Sequence, residues 1–490
     1  MGLTASSSNG SKPASVLPIL GHGEYQNVGC ADIMIASESE NDLGLFARIF
    51  YPASARSDVH DDAVVYPIWK PRKEYLDGLA EYRQMSKHKL HFFFDWIIGE
   101  RRVPAGWHEP LYSLKHERER MHNTSLHGSK SSGQLNHEAN GTVPHLTTSQ
   151  SESCLDEHEK KFPVLVFSHG ISGNRLCYST LCASLASYGF VVFALEHRDR
   201  SSCWTFSLET DALSGIVVEK PILMTTYPDG EGEFKRCNKQ LHKRIAEMVR
   251  ALNVLEELNL GTCAPADKRP KGSKIIYGHN FDWSQFKDRL DIEKAAVIGH
   301  SFGASSAIGS CCFSTDFVTC VSLDGWLFPI ETDLYARFIQ PALFINAKKW
   351  QWVENIKRML RLENCLEQNI FTFNDIVHQS FSDFSYLMPG YVGRKFALQG
   401  ELDPIHTGEA VLEMVVTHLR NSFEKQPLLD HLREVAKRYE HFVVEGTNLD
   451  EMEADKEEQN SSASSPTTEE PKTEAPTNVE FEPPAETANN

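Results

Sequence analysis

The stretch that most constrains the fold is "AAVIGHSFGASSAI", residues 295–308. Ala295 to Ile298 suit a buried strand of a parallel sheet. Gly299-His300-Ser301-Phe302-Gly303 turns the chain, and Ala304 to Ile308 can start a helix. The bare pattern Gly-x-Ser-x-Gly is weak evidence: with 30 Gly in 490 residues it arises by chance in about 15% of such chains. Strand, sharp turn and helix in succession are more specific, because a nucleophile elbow requires that context. Its serine backbone is strained, and side chains at Gly299 or Gly303 would crowd the turn. Ser301 is therefore the candidate nucleophile.

The flanking sequence supplies a sheet for such an elbow. "FPVLVFSHG", "LCYSTLCASLASYG" and "FVVFALEHR" read as strand, helix, strand, which implies a right-handed crossover and a parallel pair. Earlier, "DIMIAS" and "LFARIFYP" read as an antiparallel pair. Residues 237–260 predict an amphipathic helix with Ile245, Val249, Leu252, Leu255 and Leu258 on one stripe. "FVTCVSLD", "PALFINA" and "NIFTFND" follow the elbow as further strands. The expected architecture is an α/β-hydrolase fold: a doubly wound, mostly parallel sheet with an antiparallel N-terminal pair and helices on both faces. Residues 23–445 are expected to form one catalytic domain, with 1–22 disordered, 116–160 a disordered loop insertion, and 446–490 an acidic disordered tail.

Composition removes several alternatives. The formal net charge is −18, of which Thr447–Asn490 contributes −10 through 12 acidic residues and 2 lysines, leaving −8 elsewhere. A nucleic-acid partner would need a basic footprint, and none is present. No apolar run is long enough for a membrane-spanning helix. The 11 cysteines lack metal-type spacing and no N-terminal run resembles a signal peptide, so free thiols in the cytoplasm are expected. The sequons at Asn123, Asn140 and Asn460 then read as accidental. No metal or cofactor is expected. "MGLTASS" fits N-myristoylation of Gly2, with Ser6 as the hydroxyl residue. A single such chain would give peripheral, reversible membrane association.

A serine hydroxyl needs an imidazole to take its proton and a carboxylate to orient that imidazole. In hydrolases of this type the chain order is serine, acid, histidine. Asp324 directly follows the apolar run "FVTCVSL"; Asp403 lies in "ALQGELDP", after a weaker strand. Of the later histidines, His378 follows "NIFTFNDIV" and heads the aromatic-rich "HQSFSDFSYL". His406 is too near Asp403 for a separate strand-end loop, and His418 falls in a helical stretch. His431 and His441 come later still. The residues favour Asp324 with His378 and leave Asp403 as the alternative. The backbone N–H groups of Phe302 and of Ile171, in "FSHGIS", are the candidate oxyanion donors, with His169 and Gly170 shaping that loop.

Taken together, "FSHGISGNRLCYSTLCASLASYGFVVFALEHRDRSS", "IEKAAVIGHSFGASSAI", "VSLDGWLFP", "PALFIN" and "VHQSFSDFSYL" resemble the calcium-independent platelet-activating factor acetylhydrolases, the plasma and type II intracellular group. The resemblance runs from about Val28 to about Glu445, interrupted by 116–160. The gaps of 23 residues from Ser301 to Asp324 and 54 from there to His378 are also similar to the family's. The resemblance implies Ser301 as nucleophile, Asp324 as acid, His378 as base, and Ile171 and Phe302 as oxyanion donors. It implies a phospholipid substrate whose short or oxidised sn-2 acyl group is released without calcium. Ala304 and Gly325 depart from the family's glycine and alanine, and Ile171 from its leucine; none of these side chains supplies chemistry.

Two other stretches have double readings. "HFFFDWIIG" holds Phe92, Phe93, Phe94, Trp96, Ile97 and Ile98. The resemblance places it at the lipid surface; a helix buried on both sides is the competing reading. "EHRDR", 196–200, reads as a salt-bridged brace more readily than as a headgroup site. A broader carboxylesterase or lipase, and a non-catalytic lipid-binding scaffold, are the alternative functions.

Overall fold

The computed structural model describes residues 15–37, 44–55, 64–118, 159–210, 216–225, 232–268 and 270–453. Among these, the main sheet has 12 strands. The strands used below are β1 (Val28–Ile35), β2 (Leu45–Pro52), β3 (Phe162–Ser168), β4 (Val191–Leu195), β5 (Lys274–Tyr277), β6 (Leu290–His300), β7 (Thr319–Leu323), β8 (Ala342–Ala347), β9 (Ile370–Phe373) and β10 (Val443–Glu445). Their spatial order is β5-β1-β2-β4-β3-β6-β7-β8-β9-β10. From β4 to β9 every pairing is parallel. The outer pairings β5–β1, β1–β2, β2–β4 and β9–β10 are antiparallel. The mostly parallel sheet and its antiparallel N-terminal pair are as expected from the sequence.

Strand periodicity explains why both faces must be covered. Val164 and Val166 of β3 enter one buried cluster, whereas Leu165 and Phe167 enter another on the opposite face. The first cluster is closed by α4 (Glu233–Leu260) and α5 (Phe302–Phe313). The second is closed by α3 (Ser179–Ser187) and α6 (Pro404–Glu424). Two further helices, α1 (Lys73–Tyr82) and α2 (Lys87–Phe92), precede them in the chain. Helix α4 starts at Glu233, one turn before the expected start at Cys237. It ends on Gly261 at φ 70°, the left-handed position that stops a helix.

Three boundaries need correction. Residues 15–22 are ordered: Ser15–Val16 pairs with Arg101–Arg102, and Leu17 and Leu20 are buried. Residues 446–453 are ordered too. Leu449 and Met452 pack on the core, and Lys348 and Lys357 pair with Glu451 and Glu453 at 2.7 and 2.6 Å. The insertion expected over 116–160 has ordered ends, because Glu159 accepts from the Ser113 hydroxyl and the Leu114 N–H. Gly2, the sequons, and most of the expected insertion and tail lie outside the described residues. Among the described residues ten cysteines are free and buried, and no helix is long and apolar enough to cross a membrane.

Candidate active site

The chain leaves β6 at His300 and enters α5 at Phe302, so the whole turn falls on Ser301. Its backbone sits at φ 58°, ψ −122°, a region costly for any residue with a Cβ. A Cβ on Gly299 would lie 2.0 Å from the Gly303 carbonyl oxygen, and one on Gly303 would lie 2.0 Å from that of Ser168. The glycines are therefore required by backbone-to-backbone approach. The strained turn is held from outside: the Ser301 N–H donates to the Leu323 carbonyl at 3.0 Å, and its carbonyl accepts from the Trp326 N–H at 3.1 Å.

Asp324 follows β7 in a second strained turn, at φ 48°. It is fully buried. Its Oδ1 accepts from the Ala347 N–H at 2.8 Å, and its Oδ2 lies 2.7 Å from His378 Nδ1. His378 opens a short helical turn, His378–Phe381, shortly after β9. Its ring is clamped between Trp350, at 3.6 Å, and His300, at 4.4 Å. Burial pushes His378 down to about 3 and the Asp324 carboxyl up, opposed there by the Ala347 hydrogen bond. A neutral imidazole that donates Nδ1–H to a carboxylate keeps Nε2 as its basic nitrogen. Among the described residues Ser301 Oγ makes no hydrogen bond to His378; such contacts often tighten only once substrate is bound. What joins the two is His300, next to Ser301 in the chain and stacked on His378.

The competing acid and bases are placed elsewhere. Asp403 caps α6, accepting from the Ile405 and His406 N–H groups. His418 bonds Thr319, His431 bonds Asn421, and His406 and His441 stack on each other. His300, Asp324 and His378 place one possible ligand atom each within 4.8 Å of one another. A metal there would have to displace the Ala347 and His378 bonds to Asp324, so the donor set suits a proton relay better.

Ile171 lies in the turn after β3, partly buried. A Cβ on Gly170 would sit 3.1 Å from Ser301 Cβ, so this turn lies against the nucleophile. Phe302 is the first residue of α5 and its N–H has no intrahelical acceptor. The turn that leads into Ile171 and the first turn of α5 thus both lie next to Ser301.

The aromatic stretch is split. Phe92 and Trp96 are 63% and 71% exposed and stack on each other at 5.8 Å. Phe94 and Ile98 are buried, and Phe93 and Ile97 half-buried. Phe94 and Ile98 therefore cannot contact lipid as expected: offset by two residues from Phe92 and Trp96, they fall on the helix's core side. "EHRDR" is a brace, with Glu196 paired to Arg175, Asp199 to Arg244, and His197 to Glu247. The sequence reading missed Asp383. Its carboxylate accepts from Trp69 Nε1 and from the Ser179 and Thr180 N–H groups, tying the His378 loop to α3.

A doubly wound sheet with a strained serine between β6 and α5, and a buried acid–histidine pair on the following strand ends, defines an α/β-hydrolase. The family model described as "Platelet-activating factor acetylhydrolase, isoform II" matches residues 10–118 and 126–433. The chain belongs to that family. It is 28% identical over 434 residues to the platelet-activating factor acetylhydrolase of Bos taurus, covering 88% of this chain and 82% of that protein. It is 31% identical over 387 residues to that of Canis lupus familiaris, covering 78% and 72%. A solved ferulic acid esterase from Streptomyces cinnamoneus aligns with a TM-score of 0.48 at 15% identity, over 85% of this chain and 96% of that one.

Proposed function

We propose that this chain is a calcium-independent serine esterase that removes the short or oxidised sn-2 acyl group of platelet-activating factor and related phospholipids, leaving lyso-lipid and free acid. The observation that carries the reading is the Asp324–His378 contact at 2.7 Å, buried beside a serine held at φ 58°. Ser301 Oγ attacks the ester carbonyl as His378 Nε2 takes its proton. Asp324 holds Nδ1–H and stabilises the imidazolium. The N–H groups of Ile171 and Phe302 receive the developing oxyanion. His378 returns the proton to the departing lyso-lipid oxygen, and the acyl group remains on Ser301. Water, activated by the same imidazole, then releases the acid.

Phe92 and Trp96 are the lipid-facing pair in this reading, and a Gly2 acyl chain adds a second weak, reversible contact with membrane from the cytoplasm. The test is acetate release from an sn-2-acetyl ether phospholipid by purified protein, with chelator present, beside Ser301→Ala. Wild type should turn over, and Ser301→Ala should fall by on the order of 10⁴ in kcat. Equal turnover by the two proteins would end the proposal.

A further inference from the structure

Of the two peptides before Ile171, the first is held at both ends and the second at its carbonyl. The His169 carbonyl accepts from Arg244 Nη1 at 2.6 Å, and the N–H at the other end of that peptide, Gly170, donates to Tyr178 Oη at 3.2 Å. In the next peptide the Gly170 carbonyl meets His169 Nδ1 at 2.7 Å and the Gly173 N–H at 3.1 Å. A carbonyl can only accept, so His169 carries its proton on Nδ1. Its Nε2 is then free to accept from the His197 N–H at 3.2 Å. C=O and N–H point in opposite directions across a trans peptide. Anchoring the Gly170 carbonyl thus turns the Ile171 N–H away from His169 and Gly173.

The same two outer groups also reach the residues on either side of Ser301. Tyr178 Oη lies 2.8 Å from His300 Nδ1. Accepting from Gly170 and donating to His300 uses both capacities of the hydroxyl. The Arg244 guanidinium lies over the Phe302 ring at 4.3 Å. Arg244 is fully buried on α4, and its remaining bonds, to Asp199 and Ser201, hold its charge in place. Each side chain therefore bridges the loop that carries one oxyanion donor and the turn that carries the nucleophile and the other.

We propose that Tyr178 and Arg244 are positioning residues that set the Ile171 N–H relative to Ser301 and Phe302, so that the two oxyanion donors are aligned before substrate arrives. This rests on the serine-esterase reading above. Neither side chain touches the reacting atoms; each acts through backbone it holds.

The discriminating variant is Tyr178→Phe, which removes one oxygen and keeps the ring. Reactive serine is first counted with a fluorophosphonate, so that misfolded protein does not enter the rate. Per reactive serine, kcat should fall about tenfold to a hundredfold with KM changed less than about twofold. Affinity for a trifluoromethyl ketone, which mimics the tetrahedral intermediate, should fall by the same factor. The acid limb of the pH profile should stay in place, because the base is untouched. Arg244→Lys, which keeps the charge and loses the fork, should behave alike. An unchanged kcat in Tyr178→Phe, or a reduced kcat with unchanged ketone affinity, overturns the inference while wild-type turnover leaves the esterase reading standing. A wild type that cleaves no ester overturns both.

Discussion

Replacing Gly303 by alanine tests the geometry of the elbow without removing any functional group. The new Cβ would lie 2.0 Å from the Ser168 carbonyl oxygen, 2.6 Å from its carbon and 2.9 Å from the His169 carbonyl oxygen. Real Cβ atoms essentially never approach closer than 3.0 Å, so α5 and the end of β3 must separate by at least 1.0 Å (3.0 minus 2.0). All three atoms are backbone, so no side chain can rotate out of the way. Ser168 and His169 lead directly into Ile171, while Gly303 follows Phe302. The displacement therefore opens the gap between the two oxyanion donors. A misplacement of about 1 Å costs on the order of 10²-fold in rate. Overpacking should also lower stability by about 1–3 kcal/mol. The assay is kcat for an sn-2-acetyl substrate, normalised to fluorophosphonate-reactive serine, with thermal unfolding in parallel. A Gly303→Ala protein whose normalised kcat stays within about threefold of wild type would refute the claim that this contact sets the site.

Other expectations concern charge and surface. Burial acts against the charged form of Asp32, but the charges of Arg175 and Arg48, with their hydrogen bonds, outweigh it and hold the carboxyl well below its usual range. Its contribution to stability is thus present above the ordinary carboxylate pKa and is lost only as pH falls through the depressed folded value. Asp32→Asn leaves Arg48 buried without its carboxylate and Arg175 with Glu196 alone, and should destabilise by about 3–5 kcal/mol in urea unfolding at pH 7; a loss under about 1 kcal/mol would contradict the pairing. Because burial lowers His378 to about 3, the imidazole is already neutral in mild acid, so kcat/KM should hold its plateau below pH 6.5. An acid limb at or above that pH would contradict an acid–base pair in which burial alone keeps the imidazole neutral and Asp324 stays ionised. Trp96→Ser with Phe92→Ser should weaken binding to phosphatidylcholine vesicles by about tenfold while leaving hydrolysis of a water-soluble acetyl ester unchanged, since both side chains are exposed. Unchanged vesicle binding would remove them from the lipid face.

How much of this was readable in sequence depended on how local each cause is. The elbow was readable because its glycines are dictated by a turn of five residues. The residues favoured Asp324 over Asp403 because a carboxylate directly after an apolar strand sits at a sheet edge, whereas one before Pro404 reads equally well as a helix cap; the family resemblance made the choice. The lipid-surface and buried-helix readings of residues 92–98 stayed open because a run with a single polar residue, Asp95, hides its own helical phase. The ordered segments at 15–22 and 446–453 rest on pairs of apolar residues, Leu17 with Leu20 and Leu449 with Met452, too short to show any period. Asp383, Tyr178 and Arg244 were invisible for another reason. Trp69 and Asp383 are 314 positions apart, and Tyr178 and His300 are 122 apart. No local pattern announces a partner at that distance.

The ordered residues after Glu445 bear on how the chain can be shortened. Leu449 and Met452 pack on the core, and Glu451 reaches Lys348, two residues before the tryptophan whose ring lies on His378. An expression boundary placed where the acidic composition begins would cut away the Leu449 and Met452 packing and the Glu451–Lys348 pair, which lies two residues from the ring stacked on His378. A stop after Glu453 removes 9 of the 12 acidic residues that follow Gly446 and leaves those contacts intact.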